Sequence, residues 1–168
     1  MPTFEKVSLE DFASDVVATL GSRVTEEEMR AAYERIVLPV RADAGSAGYD
    51  FVTPFKFKLG RLHRRVRIPT GIRAKFGPDE ALLILPRSGK GCSTGYHLTN
   101  TVGVIDSSYY GNPSNGGDII VCLSRGHGDL RCEAGDRFAQ GLFVRVDVFD
   151  GEAVGKGQRK GGFGSSGR

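Results

Sequence analysis

The sequence predicts an all-β fold, a barrel or jelly roll, preceded by a short helical extension. Apolar residues recur at helical spacing only before Pro39. After Pro39, short apolar or alternating runs are separated by Gly, Pro, Asn and Asp, which is the rhythm of many short strands. There is no internal repeat, no strand–helix–strand alternation and no G-x-x-x-x-G-K-[ST] run, so a Rossmann or P-loop fold is disfavoured.

The elements follow in chain order. Ser8 with Asp11 resembles a capping box in which Asp stands for the usual Glu. Leu9, Phe12, Val16, Val17 and Leu20 then share one helical face, and Gly21 is a plausible stop. Thr25 with Glu28 is a second capping box, opening a helix that carries Met29, Ala32, Tyr33 and Ile36. Two short helices fit the outline of a helix-turn-helix, but no basic recognition face is present, so a packing appendage is expected. Strands are expected over 51–57, 66–69, 82–85, 103–105, 119–123 and 143–149, with a turn over 126–129. Residues 112–117 read as an inserted surface loop. The organisation is a helical extension over 1–37, a β-barrel over 38–154 and a flexible glycine-rich tail over 155–168.

The 168 residues suffice for one domain with a substantial core. Lys and Arg number 23 against 20 Asp and Glu, and the slight net charge of +3 argues against a general nucleic-acid binder. Positive charge is local: from Gly155 onward there are Lys156, Arg159, Lys160 and Arg168 and no acid. A small polyanion is the better partner than a membrane. No long apolar run or signal-peptide pattern is present, so a soluble, intracellular, cytoplasmic protein is expected. Cys92, Cys122 and Cys132 lack C-x-x-C spacing and read as reduced thiols, without a disulfide or a zinc site.

Five segments hold polar groups that a buried strand has no need of. They are Ala47-Gly48-Tyr49-Asp50; Pro86-Arg87-Ser88-Gly89; Asn100 to Asp106 with Tyr109 and Gly111; Gly135-Asp136-Arg137-Phe138-Ala139-Gln140; and the tail Gly162 to Arg168. In the tail, glycine amides can approach an anion closely. Ser165, Ser166 and Arg168 can bind phosphate oxygens, and Phe163 offers a flat face to a nucleobase. That reads as a lid over a nucleotide, although such composition also suits a solvated tail. Asp106 follows an apolar pair and precedes a turn, where a carboxylate can take a proton from water as a general base. Its structural alternative is a turn aspartate capping its own backbone.

In this order and spacing the five segments closely resemble the motifs of the trimeric dUTP pyrophosphatase (dUTPase) family, over about residue 38 to the C-terminus. The resemblance implies a distorted β-barrel or jelly roll of the dUTPase type and hydrolysis of dUTP to dUMP and pyrophosphate, by attack of water on the α-phosphorus. Such a reaction limits uracil incorporation into DNA and supplies dUMP for dTMP synthesis. It implies Asp106 as the base and Tyr109 as the ring against deoxyribose that excludes a 2′-hydroxyl, with Tyr110 the better core tyrosine. Asn100, with Gly103, Val104 and Ile105, falls at the hairpin that reads uracil. Arg87, Ser88, Gly89 and Gln140 fall where the phosphates are contacted, although Arg87 could instead be an ion-pair partner of Asp50 or Asp136. Phe163 would stack on uracil, with Gly164, Ser165, Ser166 and Arg168 on the β- and γ-phosphates. Mg²⁺ would be held through substrate phosphates and water, with no protein ligand cage. A homotrimer with composite sites is implied, and no direct nucleic-acid binding.

Three departures stand out. Ser108 replaces an acid usual before the sugar tyrosine, so lower activity is expected but not its loss. The segment after Tyr110 is longer than usual. The tail arginine is shifted, with Gln158 at the usual position and Arg159 one residue later. Two other readings share the scaffold. A dCTP deaminase needs a glutamate in the catalytic region, and no acid lies between Asp106 and Asp118. A nucleotide-gated regulatory protein would use the extra segments to dock a protein partner.

Overall fold

The computed structural model describes residues 1–21 and 24–147. The chain opens with β1 (Thr3–Lys6), α1 (Leu9–Leu20), α2 (Glu26–Glu34), β2 (Val40–Arg41), β3 (Tyr49–Val52), β4 (Phe57–Leu59), β5 (Arg65–Pro69) and β6 (Ile72–Lys75). There follow β7 (Glu80–Pro86), α3 (Ser88–Thr94), β8 (His97–Leu98), β9 (Gly103–Asp106), a 3₁₀ turn (Ser107–Tyr109), β10 (Ile120–Ser124), β11 (Leu130–Cys132) and β12 (Arg137–Arg145). Among the described residues the strands form four sheets. The largest has the order β2-β3-β12-β7-β9, and the others are β5-β10-β8, β1-β6 and β11-β4. All pairings are antiparallel.

Local sequence explains most of this. In β10, Val121 and Leu123 point inward and their neighbours outward, as the two-residue repeat of a strand requires. In β12 a bulge between Arg137 and Ala139 breaks the alternation, so the consecutive residues Phe138 and Ala139 are both buried. The two capping signals differ in outcome. Thr25 Oγ1 accepts from the Glu28 amide at 3.2 Å while Glu28 Oε2 accepts from the Thr25 amide at 2.9 Å, closing the box. Ser8 Oγ accepts from the Asp11 amide at 3.0 Å, but the Asp11 carboxylate turns to the Ser8 hydroxyl at 2.7 Å.

The helices share the core of the strands. Phe12 and Val16 of α1, Ala32 of α2 and Ile36 belong to one buried cluster with Phe51, Leu82, Ile84 and Phe138. Phe12 stacks on Phe55 with ring centroids 5.9 Å apart. Tyr33 donates its phenol hydrogen to the Val7 carbonyl at 2.8 Å, tying α2 to the chain leaving β1. The three cysteines are free thiols. Among the described residues no helix is long and apolar enough to cross a membrane.

Several expectations are corrected. The run 51–57 is two strands, not one. Thr53 hydrogen-bonds Phe55 through its hydroxyl (2.7 Å), Pro54 has no amide hydrogen to give, and β4 then pairs with β11 instead of the neighbours of β3. The strand expected at 143–149 begins earlier, at Arg137, and ends at Arg145. Its polar residues Arg137 and Gln140 conceal it from a hydropathy reading. The N-terminal extension also contains a strand, β1, which pairs with β6 and carries the ion pair of Glu5 with Arg73 (2.8 Å). The Gly- and Ser-rich segment 88–94 is the helix α3, ended by Gly95 in the left-handed region (φ 67°).

The segment 112–117 is not a plain surface loop, because Asn112 and Asn115 are buried. Asn115 leads to a buried polar cluster between α1 and the strands. Asp118 is fully buried, and its Oδ1 accepts from the Gly71 amide (2.8 Å) and the Thr70 hydroxyl (3.2 Å). Its Oδ2 makes no hydrogen bond within the standard geometry. Burial first, and then the charge of Asp15, push the Asp118 carboxyl well above the ordinary carboxylate range. Burial raises Asp15 as well. Desolvation and the nearness of a second carboxyl both favour the protonated form of Asp118.

The folded protein thus retains a proton at Asp118 that an unfolded aspartate, near 3.8, releases. That stabilisation is complete below the unfolded value and is lost as the pH rises through the raised, folded one. Asp118→Asn keeps the acceptor and removes the titration. The variant should therefore gain stability relative to the parent as the pH is raised from about 4 to about 8. Urea unfolding of both proteins across that range checks it, and a constant difference would argue against a raised Asp118 carboxyl.

Candidate active site

Strand β7 organises the site, because it is paired on both edges. On one side Leu85 lies opposite Gln140 of β12, and Gln140 lies opposite Asp50 of β3. On the other side Ile84 faces Gly103 and Ala81 faces Asp106 of β9. Three of the predicted segments, those with Asp50, Arg87 and Gln140, therefore converge at the C-terminal end of β7.

At that end the backbone is held tightly. The Arg87 amide donates to the Tyr96 phenol oxygen (2.8 Å), and that phenol donates to the Phe138 carbonyl (2.7 Å). The Arg87 side chain donates through Nε to Asp50 Oδ1 at 2.7 Å, and Arg137 Nη1 donates to Asp50 Oδ2 at 3.1 Å. Of the two roles open to Arg87, the ion pair with Asp50 is formed. Lys90 donates to Asp136 at 3.0 Å, a contact that holds the Asp136 carboxyl below its ordinary value. Three cations thus meet two carboxylates, and the surplus is positive. Ser88 and Gly89 are exposed at the start of α3, whose first-turn amides lack intrahelical partners by geometry. Gln140 Nε2 donates to the Pro86 carbonyl at 2.9 Å. Its Oε1 lies 2.7 Å from where a Cβ on Gly48 would stand, so the glycine makes room for the amide.

The hairpin expected near Asn100 is a tight reversal of the backbone. Leu98 and Thr101 form a bridge, the Thr101 amide donates to the Leu98 carbonyl (2.9 Å), and Thr99 and Asn100 make the turn. Thr101 has φ 70°, the one positive φ outside glycine among the described residues. A β-branched residue in that region is strained, and such strain concentrates where function imposes a backbone shape.

Asp106 ends β9, exposed, just before the 3₁₀ turn that carries Tyr109. Here the two tyrosines exchange the roles expected for packing. Tyr109 is the buried one, 7 % exposed, with its phenol donating to the Asp118 carbonyl at 3.0 Å. Tyr110 lies nearer the surface, donating to Glu5 (2.9 Å) beneath the Arg73 guanidinium, 4.8 Å from its ring centre.

The register also keeps two groups apart. Asp106 pairs with Ala81, five positions along β7 from Pro86, or roughly 17 Å at about 3.3 Å per residue. Within one chain Asp106 is therefore remote from Arg87, Ser88 and Gln140. Arg159, Phe163, Gly164, Ser165, Ser166 and Arg168 lie outside the described residues. Tyr96 and Lys90 lie outside the five polar segments, and Thr101 falls within the third with no role of its own read from the sequence. Only for Thr101 was there a signal, a two-residue turn between apolar runs.

A family model described as dUTPase matches residues 34–167. The chain belongs to the dUTPase family. The resemblance read from the five segments is thereby borne out. A deoxyuridine 5′-triphosphate nucleotidohydrolase of Lactococcus lactis is 38 % identical over 136 residues, covering 79 % of this chain and 89 % of its own. One of Pseudomonas syringae is 41 % identical over 140 residues, covering 77 % and 87 %. The crystal structure of a dUTPase from Streptococcus mutans superposes with a TM-score of 0.63 at 30 % identity, covering 88 % of this chain and 98 % of that one. The dUTPase fold is thus shown. A Staphylococcus bacteriophage 80alpha dUTPase, solved with dUpNHpp, shares the fold at a TM-score of 0.62 and 17 % identity, covering 100 % and 99 %.

The closeness of Gly48 to Gln140 makes one prediction for this dUTPase. Gly48→Ala should push the Gln140 amide off the Pro86 carbonyl and lower turnover by about tenfold or more, with little loss of thermal stability. Steady-state kinetics beside a melting curve would test it, and unchanged kinetics would remove Gln140 from the site.

Proposed function

We propose that the chain hydrolyses dUTP to dUMP and pyrophosphate at sites shared between copies of itself in a homotrimer. The observation that carries the reading is the register of β7. It sets Asp106 roughly 17 Å along the strand from Pro86, beside which Arg87, Ser88 and Gln140 lie, too far in one chain for both ends to serve one α-phosphorus. Apposing β9 of one copy to the other end of β7 in the next removes that separation. β9 suits such a contact, being an edge strand of its sheet with Val104 55 % exposed.

In this reading Asp106 orients water and takes its proton, acting from a strand end that is exposed in the single chain. The Thr99–Asn100 reversal presents backbone donors and acceptors to uracil, and Gly103, Val104 and Ile105 continue it. A base with the wrong pattern would leave those groups unpaired. Tyr109 closes the sugar side. Ser88, the α3 amides, Gln140 and the surplus charge around Arg87 receive the phosphates. Mg²⁺ would be held through the triphosphate oxygens and water, where it would neutralise the phosphate charge. The tail, from Arg159 through Phe163 and Gly164 to Ser165, Ser166 and Arg168, would cover the bound nucleotide. The deaminase reading lacks its acid: the next one after Asp106 is Asp118, which is fully buried.

Pyrophosphate release with Mg²⁺ from dUTP, dCTP, dTTP and UTP in parallel tests the activity. Release from dUTP alone is expected, and ammonia from dCTP instead would mean a deaminase. Asp106→Asn should keep nucleotide binding and lose about 10²- to 10⁴-fold in turnover.

A mixing experiment tests the shared site. Asp106→Asn and Ser88→Ala chains, each impaired alone, should regain roughly a quarter of parental activity when refolded together in equal amounts, because a quarter of the interfaces then pair two intact halves. No recovery would place both groups in a single-chain site.

A further inference from the structure

We infer that Asn115, braced by Asp15 of α1, is a positioning residue that holds the Tyr109 ring and so sets the preference for deoxyribose over ribose. This rests on the proposed dUTP site but concerns residues outside its motifs. Asp15 precedes residue 34, where the family match begins, and Asn115 sits in the lengthened segment after Tyr110.

The geometry is specific. Of its two amide hydrogens, Asn115 Nδ2 directs one to Asp15 Oδ2 at 3.0 Å and the other to Tyr109 Oη at 2.9 Å, with the adjacent Asp118 carbonyl at 3.1 Å sharing the latter. Tyr109 Oη in turn donates to that same carbonyl at 3.0 Å. The phenol is therefore held as both acceptor and donor, and its oxygen cannot move without breaking buried hydrogen bonds. Asn115 is itself fixed, since its Oδ1 accepts from the Gly117 amide at 3.2 Å. Gly117 has φ 88°, and a Cβ there would stand 2.7 Å from the Tyr109 carbonyl and 2.9 Å from the Gly111 amide. The segment is thus moulded onto the backbone of the tyrosine as well as its hydroxyl. Asp15 is buried on the core-facing side of α1, beside Val16.

A ring that excludes a 2′-hydroxyl by contact does so only if it cannot retreat. An apolar wall alone discriminates poorly against an added hydroxyl, so the rigidity must come from what holds the wall. Here that is a buried polar clamp contributed by α1 and the segment 112–118.

The test is a double-mutant cycle on the ratio of kcat/KM for dUTP to that for UTP. Asn115→Leu removes the donor at similar volume, and Tyr109→Phe removes the hydroxyl and keeps the ring. Each should lower the ratio by about tenfold or more, mainly by improving UTP, and the double variant should be no worse than either single one. A purely structural role would lower stability and leave the ratio unchanged. If Asn115→Leu does not fold, Tyr109→Phe alone decides, because it deletes the Asn115–Tyr109 hydrogen bond and leaves the Asn115 bonds to Asp15 and Gly117 in place. An unchanged ratio in Tyr109→Phe, or additive losses in the cycle, overturns the inference. If the parent protein does not turn over dUTP, the proposed activity has failed, and the same ratio is then read from calorimetric binding of dUTP and UTP.

Discussion

A strand paired on both edges is a ruler, and β7 is the ruler of this molecule. Its hydrogen bonds to β12 and β9 set which residues lie opposite which, and a shift of one position would turn every side chain to the other face. Leu82 and Ile84 point into the core, so no such shift is tolerated. The spacing of the polar groups along β7 is consequently rigid. The cationic end with Arg87 and the carboxylate end with Asp106 cannot approach each other within a chain, and this constraint, more than any single side chain, supports the proposed assembly.

The second organising feature is polar and buried. Asp118 collects the Gly71 amide, the Thr70 hydroxyl and the influence of Asp15, so the β5–β6 turn, the segment 112–118 and α1 meet at one carboxyl. Buried polar groups are costly without hydrogen bonds, and the bonds made here leave few alternative arrangements. Here the network joins elements that the apolar core also joins, since Phe12 and Val16 stand on the same helix as Asp15. The helices that precede the family pattern thereby become part of the surroundings of Tyr109.

Most elements were legible because their signals are local. The helix faces of Phe12 and Val16 and of Met29 and Ala32, the caps at Ser8 and Thr25, and the apolar runs of β5, β7, β9 and β10 depend on residues a few positions apart, whereas Ile36 lies beyond the end of α2 at Glu34. Elements whose reasons are distant were not. β1 has little pattern of its own and exists because β6 offers an edge and Arg73 a partner for Glu5. β12 is hidden by Arg137 and Gln140, whose polar side chains are used at the C-terminal end of β7. Tyr109 and Tyr110 are adjacent and chemically equal, and only the position of Asp118 and Asn115 decides which is buried.

By itself the sequence determined the class of fold, the five polar segments and the family to which they point, because composition, periodicity and motif order are properties of neighbours along the chain. It also exposed the departures at Ser108 and Gln158. The tertiary structure alone decided that Arg87 is paired with Asp50, that Thr101 carries a strained backbone, that Asn115 clasps the Tyr109 phenol and that Asp106 stands far from the Arg87 end of β7. Each of those is a relation between residues remote in sequence or a backbone angle imposed by remote packing, and strand register and burial, not local propensity, are what bring such groups together or hold them apart.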